Sequence, residues 1–171
     1  MIISLLGYMG SGKSHISKIL SNKLDFLFID LDKEISEKLQ MNIPEIFEKK
    51  GELFFRKEEK KILEEILDLE KNLVLSLGGG TPVYFDNINL INEKSKSVFL
   101  RASVNTLTNR ILWQKTNRPM LARFDDSEIP EFIAKHLFER NPYYSKAQIT
   151  IDIDFKSADE ISKEIIKILQ I

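Results

Sequence analysis

The eight residues from Gly7 to Ser14, with the sequence GYMGSGKS, restrict the fold of this chain more than any other feature. They match the phosphate-binding pattern G-x-x-x-x-G-K-[ST] and stand between an apolar run, Ile2 to Leu6, and a segment with helical spacing. Glycines let backbone N–H groups turn towards phosphate oxygens, and a helix N-terminus adds partial positive charge. In such a loop Lys13 reaches the β- and γ-phosphates and the Ser14 hydroxyl holds Mg²⁺. The pattern therefore predicts a nucleotide-phosphate site.

Length and composition suit one globular domain over residues 1–171, with 43% hydrophobic and 30% charged residues. A net charge of −1 gives no basic surface for nucleic acid or an anionic membrane. The chain has no cysteine, which excludes disulfides, thiolate metal sites and cysteine nucleophiles. No apolar run approaches the ~20 residues of a membrane span, and the first residues do not resemble a signal peptide. We therefore expect a cytoplasmic protein without nucleic-acid or membrane partners.

Short apolar runs alternate with longer amphipathic segments along the chain. This alternation predicts an α/β fold, in which a parallel sheet has helices on both faces. Ligands of such sheets bind beyond the carboxyl ends of the strands. The five predicted strands are Ile2–Leu6, Phe26–Asp30, Leu73–Leu77, Val98–Leu100 and Ile149–Ile153.

Residues 114–128 interrupt the alternation with weak periodicity, and they contain Arg118-Pro119. A solvated surface loop would have this composition. A mobile lid that closes over a nucleotide would have it as well, because such loops carry function and exclude water. The phosphate-binding loop and the arginine within the segment favour the lid.

Asp30 and Asp32 end the second apolar run. Residues two apart on a strand point to the same side, so both carboxylates would converge beside the phosphate-binding loop. One could hold the water shell of Mg²⁺, and the other could orient or deprotonate an attacking hydroxyl. Alternatively, Asp32 only caps the helix that follows at Lys33. The third apolar run ends at Leu77 without an aspartate, so Asp30 is the obvious metal carboxylate.

The third apolar run passes into Gly78-Gly79-Gly80, which is more glycine than a turn needs. Consecutive glycines let a ligand approach backbone N–H groups closely, although a flexible corner before Pro82 is the alternative.

Three arginines are candidates for anion binding. Arg56 and Arg140 would form a bidentate clamp for a carboxylate if both faced the pocket. Arg118 would stabilise charge on a transferring phosphoryl group. Each arginine taken alone also fits a surface salt bridge, because acidic residues lie three and four positions away from Arg56 in particular.

Taken together, these residues resemble the shikimate kinase family over nearly the whole chain. The ordered set is far more specific than the phosphate-binding loop alone, which many families share. It comprises the loop at 7–14, Asp-x-Asp at 30–32, Ile46-Phe47, Gly51-Glu52, Phe55-Arg56-x-x-Glu59, Gly78-Gly79-Gly80, Arg118-Pro119, and Arg140 followed by Tyr144.

The resemblance implies a three-layer α/β/α sandwich with a five-stranded parallel sheet, of the P-loop nucleoside monophosphate kinase-like type, with a lid at about 114–128. It implies transfer of the ATP γ-phosphate to the 3-hydroxyl of shikimate, with Mg²⁺, in chorismate and aromatic amino-acid biosynthesis. The acceptor would bind in a region at about 32–60, and family members are usually cytoplasmic monomers.

The resemblance also implies residue roles. Catalysis would involve Lys13, Asp32 and Arg118, and Mg²⁺ would be held by Ser14 and Asp30. ATP would contact Gly10, Ser11, Gly12, Lys13, Ser14, His15, Arg110 and Arg118. Shikimate would contact Asp32, Arg56, Gly78, Gly79, Gly80 and Arg140.

Rival functions belong to the same fold or to other classes. Gluconate kinase or a nucleoside monophosphate kinase is the nearest alternative, and Asp32, Arg56 and the triple glycine favour shikimate over gluconate. A GTPase is rejected, because the guanine-recognition tetrapeptide at 22–25 ends the first helix instead of following a late strand. A nucleotide-binding regulator without catalysis stays open, although both aspartates and Arg118 argue against it.

Overall fold

A five-stranded parallel sheet forms the centre of the computed structural model, which describes residues 1–113 and 125–171. The strand order is β2-β3-β1-β4-β5, and every neighbouring pair is parallel. The five predicted strands are confirmed: β1 has the predicted ends, and the ends of the other four differ by at most two residues. The strands are β1 Ile2–Leu6, β2 Leu27–Asp30, β3 Leu73–Ser76, β4 Lys96–Arg101 and β5 Ile149–Asp152.

Helices connect the strands and cover both faces of the sheet. A short 3₁₀ turn at Thr81–Val83 follows β3. The helices are α1 Lys13–Leu24, α2 Leu31–Leu39, α3 Ile43–Lys50, α4 Glu52–Leu67, α5 Asn87–Lys94, α6 Val104–Trp113, α7 Ile129–Tyr144 and α8 Ala158–Leu169.

The core lies in two layers, one on each side of the sheet. Ile3 and Leu5 of β1 pack with residues of α1 and α8, whereas Ile2 and Leu6 pack on the other side with residues of α2 to α7. Successive strand residues point to opposite faces, so a strand covered on both faces is mostly apolar, and in β1 only Ser4 is polar. All of β1 is buried, which confirms the predicted three-layer α/β/α sandwich.

The carboxyl ends of β1, β2 and β3 lie level with one another. Ser76 at the end of β3 is in register with Leu5 of β1 and with Asp30 of β2. The loops that follow these three strands therefore emerge side by side at one edge of the sheet, where ligands of open α/β sheets bind.

Most of the predicted lid at 114–128 lies outside the described residues, and Arg118 is among those not described. Residues 125–128 form a turn before α7, in which the Asp125 N–H donates to Glu128 Oε2 at 2.9 Å. Within 1–113 and 125–171, none of the helices has the length and apolar character to cross a membrane.

Candidate active site

The segment Gly7–Ser14, called the P-loop from here on, joins β1 to α1 as predicted. Gly10 and Gly12 have φ values of 83° and 88°, a left-handed conformation that favours glycine. Lys13 Nζ donates to the carbonyl oxygens of Gly7 at 2.9 Å and Tyr8 at 3.1 Å. No described side chain caps the N-terminus of α1. The first N–H groups of α1 are therefore available to an anion such as phosphate.

Three other predicted nucleotide-binding residues, Ser11, His15 and Arg110, lie in or beside the P-loop. Arg110 of α6 donates from Nη1 to the carbonyl oxygens of Gly10 at 3.4 Å and Ser11 at 3.3 Å, so it braces the loop. His15 is exposed on the first turn of α1. Ser11 is buried, and its N–H already donates to Tyr8 O at 3.1 Å. The Ser11 N–H therefore stabilises the shape of the loop and is not free to donate to a phosphate.

Three oxygen-bearing side chains meet where α1, β2 and β3 come together. Ser14 Oγ donates to Asp30 Oδ2 at 2.6 Å and lies 3.2 Å from Ser76 Oγ. Hydroxyl and carboxylate oxygens are the ligands that Mg²⁺ prefers, and it usually completes its shell with water and substrate phosphates. The donor set of Ser14 and Asp30 thus fits Mg²⁺, and Ser76 adds a hydroxyl that the sequence interpretation did not include.

Asp32 does not lie on a strand, and the prediction that it shares a strand face with Asp30 is wrong. The strand β2 ends at Asp30, and Asp32 belongs to the first turn of α2. The reason is that Asp30 itself caps α2, because its Oδ1 accepts from the Lys33 N–H at 3.4 Å. The capping role that was considered for Asp32 therefore belongs to Asp30.

Asp32 nevertheless joins the site, through the helix turn. Its Oδ1 lies 2.8 Å from the position that a Cβ atom on Gly78 would occupy. Asp32 as a residue is exposed, but protein atoms surround its carboxyl group. This local burial raises its pKa from the ordinary 3.8 to about 6. The carboxylates of Asp30 and Glu59 raise the pKa further, whereas Lys13 and Arg56 oppose the shift. A carboxylate of this basicity suits a general base.

Arg56 on α4 forms a buried ion pair with Glu59 as well as the surface salt bridge considered above, in which Arg56 Nε lies 3.4 Å from Oε1 of the exposed Glu52. Its Nη1 donates to Glu59 Oε2 at 2.8 Å, and Glu59 is fully buried. Thr81 Oγ1 donates to Glu59 Oε1 at 2.7 Å. Burial opposes the charge on Arg56, but Glu59, with smaller contributions from Tyr84 and Glu52, more than offsets this and raises the pKa of the guanidinium. The aromatic ring of Tyr84 lies 4.1 Å from the guanidinium carbon.

The glycines at 78–80 provide space for the charged side chains of the site. None of the three has a positive φ, so their backbone conformation does not require glycine. A Cβ atom on Gly80 would lie 2.6 Å from Arg56 Nη2, and one on Gly79 would lie 3.5 Å from Arg140 Nη1. Together with the contact between Gly78 and Asp32, these distances bring all the predicted acceptor-binding residues around one loop. We call Asp32, Arg56, Gly78–Gly80 and Arg140 the acceptor corner.

Arg140 reaches the acceptor corner from α7. Its guanidinium carbon lies 5.7 Å from the centre of the Tyr8 ring. Tyr144, one turn further along α7, donates from its hydroxyl to Gly79 O at 2.6 Å and fixes the helix to the glycine loop. Within the described parts of the chain Arg140 forms no ion pair, and residues 114–124 contain no Asp or Glu.

Glu59, Thr81 and Tyr84 are site residues that the sequence interpretation did not assign. The spacing of three between Arg56 and Glu59 on a predicted helix was a usable signal, since such pairs face each other. Thr81 and Tyr84 had no signal in the sequence. Their hydrogen bonds to residues of α4 depend on the turn that follows the glycines.

The chain is similar to known proteins over its full length. A family model described as shikimate kinase matches residues 9–170. The shikimate kinase of Flavobacterium psychrophilum is 46% identical over 168 residues, which cover 98% of each chain. The solved structure of the Bacteroides thetaiotaomicron shikimate kinase superposes with a TM-score of 0.95 at 34% identity, covering 100% of this chain and 99% of that one. A structure of the Acinetobacter baumannii shikimate kinase in complex with shikimate gives 0.89 at 31% identity, with 99% and 92% covered. The chain belongs to the shikimate kinase family.

Proposed function

We propose that the acceptor corner and the P-loop together transfer the γ-phosphate of ATP to the 3-hydroxyl of shikimate, giving shikimate 3-phosphate and ADP. Family membership makes the chain an ATP-dependent kinase that acts on shikimate. The observation that carries the residue assignment is the position of Asp32. This carboxylate, with a pKa of about 6, lies against the same glycine loop that the Arg56 and Arg140 side chains approach.

The P-loop holds the donor in this proposal. The N–H groups at the start of α1 and the Lys13 ammonium bind the phosphates, with Gly10 and Gly12 permitting the close approach. Arg110 braces the loop from behind, and His15 and Arg118 complete the donor side. Ser11 acts through the shape of the loop, because its N–H is already bonded to Tyr8 O.

Ser14 and Asp30 would hold Mg²⁺, as their contact of 2.6 Å and their oxygen chemistry suggest. When bound, the ion would neutralise the charge of the β- and γ-phosphates and orient them for in-line transfer.

The acceptor corner binds and activates shikimate in this proposal. Arg56 and Arg140, which both lie against the glycine loop, grip the shikimate carboxylate, which fixes the ring in one orientation. Asp32 accepts the proton of the 3-hydroxyl while that oxygen bonds to the γ-phosphorus and the bond to the ADP oxygen breaks. Its raised pKa increases its proton affinity, which helps a base of this kind.

The domain organisation is part of the proposal. Residues 1–171 form one domain with an acceptor region at about 32–60, where Asp32, Arg56 and Glu59 lie, and a lid at about 114–128. We propose a cytoplasmic monomer, which sedimentation equilibrium of the purified protein would test.

A coupled assay of ADP release tests the activity directly. We expect Mg²⁺- and ATP-dependent turnover of roughly 1–100 s⁻¹ with shikimate, as for kinases in general. Gluconate and nucleoside monophosphates serve as alternative acceptors in parallel reactions. ADP release with gluconate but not with shikimate would refute the proposal.

A further inference from the structure

The Tyr8 side chain of the P-loop is buried and contacts α7. Tyr8 is the second residue of the loop, yet its ring is only 1% exposed. Its hydroxyl forms a hydrogen bond of 3.0 Å with His136 Nδ1, and the two rings meet edge to face with centres 6.0 Å apart. The loop that binds the donor is thereby joined to α7, the helix that carries Arg140.

The contact bears on Arg140 because His136 and Arg140 are four residues apart and share a helix face. The Arg140 guanidinium lies over the Tyr8 ring, 5.7 Å from its centre, and 3.5 Å separates Arg140 Nη1 from the Cβ position of Gly79. Tyr8 thus forms one wall of the space that Arg140 occupies, and the glycine loop forms the other.

The two arginines of the acceptor corner are held in different ways. Arg56 is tied to the Glu59 carboxylate, which compensates its charge. Arg140 has no such carboxylate among the described residues, and the segment 114–124 contains none in its sequence. An aromatic ring locates a guanidinium without neutralising it. Arg140 therefore keeps its positive charge available for an anionic acceptor.

His136 supports this arrangement as a neutral ring. Burial lowers its pKa most, and the Arg140 cation lowers it further. Glu139 opposes this shift, and Lys135 adds a still smaller lowering effect. The ring of Phe132, one turn earlier on α7, also packs against His136, with ring centres 4.6 Å apart. Near pH 7 the imidazole can therefore bond to the Tyr8 hydroxyl without placing a second charge beside Arg140.

We propose that Tyr8 and His136 are positioning residues for Arg140: their hydrogen bond fixes the Tyr8 ring, and the ring orients the guanidinium towards the acceptor carboxylate. The inference rests on the proposed role of Arg140 in acceptor binding. It means that Tyr8, although it belongs to the P-loop, affects binding of the acceptor and not binding of the nucleotide.

Steady-state kinetics of the full-length protein with shikimate and ATP test this inference. Tyr8→Phe removes only the hydroxyl, and His136→Leu removes its partner. Each substitution should raise the shikimate KM by about 3- to 10-fold, the range expected for one lost hydrogen bond, with the ATP KM within about twofold of wild type. The double variant should show no further loss, because both changes break the same bond.

Two further variants control the experiment. His136→Asn places a polar atom near the position of Nδ1 and should restore much of the shikimate affinity. Tyr143 lies on the same helix, and its hydroxyl forms no hydrogen bond among the described residues. Tyr143→Phe should therefore leave both KM values unchanged.

The possible outcomes separate this inference from the proposed function. If Arg140→Lys leaves the shikimate KM unchanged, the assigned role of Arg140 fails and the positioning role fails with it. If Arg140→Lys raises that KM but Tyr8→Phe and His136→Leu do not, only the positioning role is overturned. An ATP KM that rises as much as the shikimate KM would also overturn it, because the pair would then only stabilise the P-loop.

Discussion

Gly80 and Arg56 are packed so closely that a methyl group on Gly80 would lie 2.6 Å from Arg56 Nη2. The backbone of Gly80, with φ −91° and ψ −18°, is accessible to any residue. The glycine is therefore required by the space that the guanidinium occupies. The same loop accommodates Asp32 at Gly78 and Arg140 at Gly79, so the three glycines together determine where three charged side chains can lie.

Gly80→Ala should displace Arg56, raise the shikimate KM and destabilise the fold by about 1–3 kcal/mol, the usual cost of overpacking. Urea unfolding and the coupled kinase assay measure the two effects. In an Arg56→Ala background the alanine at position 80 should have almost no further effect on stability, because its clash is gone. Equal destabilisation in both backgrounds would show that the alanine disturbs the backbone at position 80 and does not act through a clash with Arg56.

Arg56 and Arg140 should respond differently to the loss of their charge. Arg56→Met leaves the Glu59 carboxylate buried without its cation and should cost about 3–5 kcal/mol of stability. Arg140→Met should change stability by less than about 0.5 kcal/mol, because Arg140 has no ion-pair partner in the described structure. Both should raise the shikimate KM by about 10- to 100-fold, as expected for lost hydrogen bonds to a charged group.

The double variant Arg56→Met, Glu59→Leu separates binding from folding. Replacing both members of a buried ion pair by apolar residues is often neutral, so much of the lost stability should return. The shikimate KM should stay high, since no guanidinium is restored. Recovery of the KM together with stability would remove Arg56 from the binding site.

The fold was predictable because each layer left a periodic signal in the sequence. Strands that are covered on both faces, such as β1, read as nearly continuous apolar runs, and the amphipathic helices between them have their own spacing. The prediction failed at the junction of β2 and α2. Aspartate suits both a strand end and a helix cap, and only the observed bond from Lys33 N–H to Asp30 shows which residue starts the helix.

The site was predictable in composition but only partly in arrangement. The P-loop pattern fixes a local backbone path, and so Lys13 and Ser14 were identified from spacing alone. The bond between Tyr8 and His136 joins residues 128 positions apart, and the contact between Thr81 and Glu59 depends on how α4 packs beside the glycine loop. Such contacts are determined by tertiary packing, for which one sequence has no periodic signal.

Removal of Mg²⁺ by EDTA should abolish turnover, and Asp30→Asn should raise the Mg²⁺ concentration needed for half-maximal rate by about 10- to 100-fold. Asparagine caps helices as well as aspartate does, so the variant should keep α2 and its unfolding free energy. Asp30→Ala removes the cap as well and should lose about 1 kcal/mol. An unchanged Mg²⁺ requirement in Asp30→Asn would leave Asp30 with the capping role alone.

Asp32→Asn should lower kcat by about 10²- to 10⁴-fold, the usual contribution of a general base. In the wild type, kcat/KM for shikimate should fall as the pH drops below about 6, where Asp32 binds a proton. The residual activity of the variant should lose this acid limb. If kcat/KM of the variant falls at low pH in the same way, the group responsible for that fall is not Asp32.

The same substitution should stabilise the protein at neutral pH, because the folded state binds a proton at Asp32 more tightly than the unfolded chain does. Ionisation therefore weakens the fold as the pH rises from about 4 to about 6, and asparagine avoids this loss. The Tm of Asp32→Asn should match that of the wild type near pH 4 and exceed it by a constant amount above pH 7. Glu34→Gln removes the same charge from the same helix turn and serves as the control. A Tm difference that is independent of pH would contradict the raised pKa of Asp32. A gain in stability together with a loss of activity would show that Asp32 serves function at a cost in stability.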